Sequence, residues 1–137
     1  MRLVQSWLAL AMIMALALSA AAYAQMAPGG VKTAKIGDAM VFVDAKGMTL
    51  YTFDKDTTPD KSSCNGPCAT NWPPLAAGTD AKAMGPWTVI TRDDGSKQWA
   101  YKGKPLYTFV KDTAPGDAKG DNLGPNGTHV WHLAKAG

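Results

Sequence analysis

Hydrophobic positions in this chain follow two different rules. Over residues 8–22 they run together as "LALAMIMALALSAAA", broken only by Ser19. From residue 31 they instead alternate with polar positions in short stretches, the period-two pattern of β-strands. These stretches are "VKTAKI" (31–36), "VFVD" (41–44), "MTLYTF" (48–53), "WTVITR" (87–92), "KQWAY" (97–101) and "KPLYTF" (104–109). Ala45-Lys46-Gly47 parts the second from the third, and Lys102-Gly103 parts the fifth from the sixth. β-Branched and aromatic residues around a short glycine turn predict a hairpin in each place. Gly47 and Gly103 sit where such turns need positive φ. Asp93-Asp94-Gly95 marks a further turn. After each "YTF" the chain becomes a polar loop rich in Pro and Gly and ends in a Trp segment, "NWPPL" (71–75) or "VWHL" (130–133).

The pattern is written twice. Val31–Pro59 aligns without a gap on Trp87–Pro115, and between 46 and 59 ten of fourteen positions are identical. That is an internal duplication, and it governs the fold. Repeat one spans about 31–77 and repeat two about 87–135, in one domain over 31–137 behind a flexible leader "QMAPGG" at 25–30. Alternation puts Leu50 and Thr52 on one face of their strand and Tyr51 and Phe53 on the other, with Leu106, Thr108, Tyr107 and Phe109 repeating the split. The Tyr-x-Phe face is expected to pack on Trp72 or Trp131 of a returning segment. Two units that cannot each bury a sheet face should bury it against one another. The expected fold is all-β: a single domain of two tandem, pseudo-symmetric antiparallel β units with long Pro/Gly-rich loops.

The apolar run changes the picture of where this domain works. Met1-Arg2 is a short positive start, and Ala22-Tyr23-Ala24 is a small-x-small cleavage pattern. The run is shorter than the roughly 18–20 residues of a membrane span. Residues 1–24 read as a signal peptide cleaved after Ala24, with no cysteine nearby to carry a lipid and no membrane-spanning segment in the mature chain. A periplasmic or secreted location follows. The mature 113 residues carry 13 Lys and Arg against 11 acidic residues, all Asp. A balance near +2 gives no argument for nucleic acid. Asp without Glu, together with 14 Gly and 9 Pro in the whole chain, favours turns over helices.

Tyr51-Thr-Phe53-Asp-Lys-Asp56 and Tyr107-Thr-Phe109-Val-Lys-Asp112 both fit Tyr-x-aromatic-x-x-Asp. With "CNGPCATNWPPL", "VITRDDGSKQWAYKGKPLYTF" and "VWHLAK", nearly the whole mature chain resembles the bacterial "secreted repeat of unknown function" family, predicted lipoproteins defined by that motif. The resemblance implies export to a bacterial cell envelope and a tandem repeat. It implies no particular activity. The missing lipidation cysteine departs from the lipoprotein members.

Chemistry-bearing residues are few. Cys64 and Cys68 are the only cysteines and face an oxidising compartment. Three residues separate them, where active dithiols have two, so a structural disulfide is expected, contributing about 2 kcal/mol by closing a short loop. No Cys-x-x-Cys-His is present to hold haem. His129 and His132 are the candidate metal ligands, one of them joining Met40, Met48 or Met84 on Cu(I). On a strand their spacing points them apart, which disfavours a shared ion. "DKDTTPD" at 54–60 resembles the start of a calcium loop but lacks its glycine and closing Glu. Asp56 and Asp112 are expected instead to accept backbone hydrogen bonds in the turn after each strand and to serve as partners for Tyr hydroxyls. Tyr51, Tyr107, Trp72, Trp87, Trp99 and Trp131 would stack on glycan rings if exposed; a domain this small is expected to spend them on its core. Ser62, Ser63 and Ser96 lie in turns without a His–Asp partner, and no nucleophile elbow or phosphate loop occurs. The expectation is an exported cell-envelope protein without cofactor or catalysis, a binding or scaffolding module for an unknown envelope component. The alternative is periplasmic copper binding or redox service. Nothing in the residues sets the oligomeric state.

Overall fold

The computed structural model describes residues 27–137, so the expected signal peptide and the first leader residues lie outside the described residues. Among the described residues, seven strands form three small antiparallel sheets. β1 (Lys32–Ile36) pairs with β2 (Ala39–Val43), and β4 (Trp87–Thr91) pairs with β5 (Lys97–Tyr101), which pairs with β6 (Lys104–Pro105). β3 (Tyr51–Phe53) pairs with β7 (Trp131–Leu133). Among the described residues, one short helix, α1 (Pro67–Asn71), follows the first Cys, where Pro at the first helical position presets φ. A single 3-10 turn covers Pro125–Gly127. The fold is therefore nearly all-β, with two tandem units.

The hairpins form where expected, through different turns. Lys102 and Gly103 both have positive φ (+50° and +82°), the conformation of a tight two-residue hairpin turn. The first copy uses a longer turn, in which Asp44 accepts the amides of Lys46 and Met48, each at 2.9 Å, and Gly47 takes φ +84°.

This difference corrects the gapless alignment. Phe42, and not Val43, occupies the place of Trp99. Thr33 pairs with Phe42 as Val89 pairs with Trp99. Each gives its carbonyl to the next strand's leucine, Leu50 to Phe42 at 3.0 Å and Leu106 to Trp99 at 3.1 Å. Copy two carries an extra residue in the turn before β5 and loses one in the turn after it.

The expected six-residue strands "MTLYTF" and "KPLYTF" are each divided. Up to Leu50 and Leu106 the chain pairs with its own hairpin. Beyond them it leaves and pairs with the other copy. Tyr51 and Tyr107 face each other across an isolated bridge, and their neighbours divide in the same way on either side. Ala134 and Asp54 bond Leu50 and Val130, joining the second copy's Trp segment to the first copy's strand. Leu75, Thr108 and Val110 bond Leu106, Pro73 and Asn71, joining the first copy's Trp segment to the second copy's strand. The returning segments are thus exchanged between repeats, and equivalent positions make equivalent bonds.

The divided strands separate two apolar clusters, so both faces are buried. One cluster holds Val31, Phe42, Leu50, Trp87, Trp99, Leu106 and Ala134. The other holds Tyr51, Cys64, Trp72, Tyr107, Phe109 and Trp131. Period-two alternation accounts for this sorting of Leu from Tyr and Phe.

Candidate functional site

The second cluster gathers almost every residue of the duplicated motif at the join of the repeats. Its centre is a column of four rings. Phe53 stacks on Trp131 (4.2 Å between centroids, 10°), Trp131 on Trp72 (3.8 Å, 4°) and Trp72 on Phe109 (4.1 Å, 19°). The order reads the same from either end: Phe of one copy, Trp of the other, Trp of the first, Phe of the second. Tyr51 meets Trp72 edge-on at 5.3 Å, and Tyr107 meets Trp131 edge-on at 5.1 Å, the geometry that sets ring edge against ring face.

The two hydroxyls of these tyrosines cross the join as well. Tyr51 donates to Asp112 Oδ2 at 2.6 Å, and Tyr107 donates to Asp56 Oδ2 at 2.6 Å. Each Tyr therefore meets the Asp of the opposite motif. Each Asp uses its other oxygen to hold the loop after its own strand, accepting the amide seven residues on: Ser63 for Asp56 (2.6 Å) and Lys119 for Asp112 (2.9 Å). One carboxylate thus fixes a loop and a partner strand together.

The surroundings keep both phenols in their proton-donating form. Burial pushes both tyrosines well above the ordinary phenol range, and the carboxylate each one touches pushes in the same direction. Both stay protonated in neutral water. Burial also raises Asp56, against the lowering effect of its bonds from Tyr107 and Ser63. Neither phenol is poised to act as a neutral-pH nucleophile.

Around this shared frame the two halves differ. Tyr107 also bonds the Ser62 hydroxyl at 2.6 Å. Ser62 accepts from Arg92 Nη1 (3.0 Å) and from the Cys64 amide (3.1 Å). Arg92, only 4% exposed, further donates to Gln98 Oε1 at 2.7 Å and, through Nη2, to the Cys64 carbonyl. Gln98 passes the chain on to the Leu106 carbonyl at 2.7 Å. On the other half Tyr51 accepts the Gly120 amide at 3.2 Å. A Cβ on Gly120 would stand 2.6 Å from the Trp72 ring, so only glycine fits between Tyr51 and Trp72 there.

Cys64 and Cys68 are joined, with an S–S distance of 2.05 Å, and close the loop that opens α1. The half-cystine Cys64 is buried beside the ring column. His132 stands on β7 with Nε2 2.7 Å from Asp54 Oδ2, while His129 is exposed in the loop before it. Among the described residues no three His, Cys or Asp side chains converge as a metal site would require. Asp54 faces His132, and Asp60 lies exposed in the following loop, so among the described residues the calcium-like spelling gathers no group of three carboxylates.

The sequence marks no role for Arg92, Gln98 or Gly120, and reads Ser62 only as a turn serine, whereas Ser62 is buried. Arg92 was visible as the one arginine of the mature chain, and a lone guanidinium in a chain otherwise basic through lysine is the signal that could have marked it.

The chain matches the sequence profile of the family described as secreted repeat of unknown function at two places, residues 30–76 and 88–135. No curated protein matches it, and no solved structure does. Among the described residues no helix is long and apolar enough to cross a membrane.

Proposed function

The chain belongs to the family of secreted repeats of unknown function, and from that premise we propose that it is a non-catalytic module of the bacterial cell envelope, exported by a signal peptide cleaved after Ala24. The observation carrying this reading is the reciprocal pairing of Tyr51 with Asp112 and Tyr107 with Asp56. The family motif is spent on locking the two repeats together. Tyr51, Phe53, Asp56, Tyr107, Phe109, Asp112, Trp72 and Trp131 then serve as a rigid frame, and the disulfide of Cys64 and Cys68 stiffens one loop of it. Binding or scaffolding falls to the outer surface. A depression of about 370 Å³ lined by Thr52, Lys102, Lys104, His132 and Lys135 is the face we assign to an envelope component. Its three lysines outnumber its one acidic side chain, Asp54, and favour an anionic one.

The test is cosedimentation of the purified mature protein with bacterial envelope fractions. Cosedimentation that salt weakens, and that the Lys102→Ala, Lys104→Ala, Lys135→Ala triple variant loses, supports the reading. Retention unchanged in the triple variant, or no retention at all, contradicts it.

A further inference from the structure

The central cluster has the parts of a one-electron relay. Among ring side chains, indole and phenol give up an electron far more readily than phenyl. Trp72 and Trp131 lie parallel at 3.8 Å, so a vacancy on one is shared with the other. Each indole has a phenol edge against it, Tyr51 at Trp72 and Tyr107 at Trp131. Each phenol already points its proton at a carboxylate 2.6 Å away. A phenol that loses an electron must also lose its proton, and here the acceptor is in place before the electron moves. The other apolar cluster offers a contrast. Trp87 and Tyr101 are as close, at 4.9 Å, but among the described residues no carboxylate bonds the Tyr101 hydroxyl.

We propose that the Trp72–Trp131 pair and its two Tyr–Asp couples capture and hold single-electron vacancies delivered by small radical oxidants of the envelope compartment. The oxidant takes one electron from the indole pair and is itself reduced, leaving an indole radical cation. Tyr107 then gives one electron to Trp131 and its hydroxyl proton to Asp56 Oδ2. The indole returns to its closed-shell form, and a neutral phenoxyl radical and a neutral carboxylic acid remain. Tyr51, Trp72 and Asp112 repeat the step on the other side. The transfer removes a buried positive and a buried negative charge together, which a poorly polarisable interior favours. Burial already raises the proton affinity of Asp56 in the direction this step needs. The oxidant reaches the pair through an open depression of about 300 Å³ lined by Trp72, Phe109, Lys111, Leu123 and Trp131.

The experiment is pulse radiolysis with azide radical, which oxidises indole, on the mature disulfide-bonded protein carrying Tyr101→Phe. Tyr51 and Tyr107 are then the only phenols beyond the expected signal peptide. The indolyl absorption is expected to give way to phenoxyl absorption in a first-order step independent of protein concentration and slower in heavy water. Asp56→Asn with Asp112→Asn is expected to slow that step about tenfold, equal to about 1.4 kcal/mol in barrier. Melting curves of each variant establish that it is folded. If the double Asn variant does not fold, the heavy-water comparison on the unsubstituted carboxylates decides. Absence of phenoxyl, a rate proportional to protein concentration, or a rate unmoved by both heavy water and the Asn substitutions overturns the proposal.

Discussion

Tyr51 and Tyr107, the same residue of two repeats, hydrogen-bond to each other through their backbones, the amide of each to the carbonyl of the other, at 2.8 and 3.0 Å. Identical positions in an antiparallel pair can meet this way only around an approximate two-fold axis. That axis passes between them and on between Trp72 and Trp131, which explains why the ring column reads alike from both ends. Each repeat alone would leave its Tyr without a carboxylate, its strand without a returning segment and its Trp without a partner ring.

Gly120 tests how tightly the column is held. Adding one methyl at this position drives it against the Trp72 ring at 2.6 Å and against Tyr51 at 3.0 Å. Gly120→Ala should cost about 1–3 kcal/mol, the usual penalty for overpacking, and should lower the urea midpoint with an unchanged slope.

Arg92 is held by three acceptors pointing in different directions, Ser62, Gln98 and the Cys64 carbonyl. A lysine ammonium cannot reproduce that fork. Arg92→Lys should therefore destabilise the fold by about 3 kcal/mol, since hydrogen bonds to a buried charge are worth about 1.5–3 kcal/mol each. Equilibrium denaturation measures it. A loss as small as that of a surface lysine would mean the network carries little.

How much of this was legible beforehand follows from what each signal encodes. The duplication and the period-two alternation were enough to place Tyr51, Phe53, Tyr107 and Phe109 on one face with Trp72 and Trp131, because both are local properties of the chain. Hydrogen bonding of Asp56 and Asp112 to the following loops was legible too, since it spans seven residues. The exchange between repeats was not. Within-copy and between-copy pairing use the same residues and the same spacing, and only the division of each strand after Leu50 and Leu106 selects the second. The shift of Phe42 onto Trp99 was hidden because two turns of unequal length cancel. Ser62 sits among polar neighbours that read as a turn, while Arg92 and Gln98 fall at polar positions of predicted strands, and nothing local distinguishes a polar residue that will be buried.

Removing the disulfide should loosen one half only. The closed loop is short, so the loss is about 2 kcal/mol. For a domain of this size that lowers Tm by about 8 °C or more. Thermal melts with and without reductant, or of the Cys64→Ser, Cys68→Ser variant, check it. Copy two has no bridge to lose.

Acid affects the carboxylates in opposite senses. Asp56 is raised above 3.8 by burial, so the folded state holds its proton more tightly than the unfolded chain does. Its contribution to stability therefore grows as pH falls through its folded value towards 3.8, and is lost as pH rises. Asp94 and Asp117 are lowered from 3.8 by hydrogen bonds from Ser96 and from Thr113 and Ala114, respectively. Their contributions are present above 3.8 and lost below it as pH falls through their folded values. Carboxyl NMR titration should place Asp56 above and Asp117 below the ordinary value. The stability gap between wild type and Asp56→Asn should move in favour of wild type as pH drops from neutral to about 4.

The most direct test of the reciprocal lock is a set of four double-mutant cycles on folding stability, pairing Tyr→Phe at 51 or 107 with Asp→Asn at 56 or 112. The pairs Tyr51/Asp112 and Tyr107/Asp56 should each return a coupling of about 1 kcal/mol or more, and the pairs within one motif, Tyr51/Asp56 and Tyr107/Asp112, should be additive to within about 0.5 kcal/mol. Coupling within each motif and additivity between motifs would show that each repeat closes on itself, and the lock would not exist.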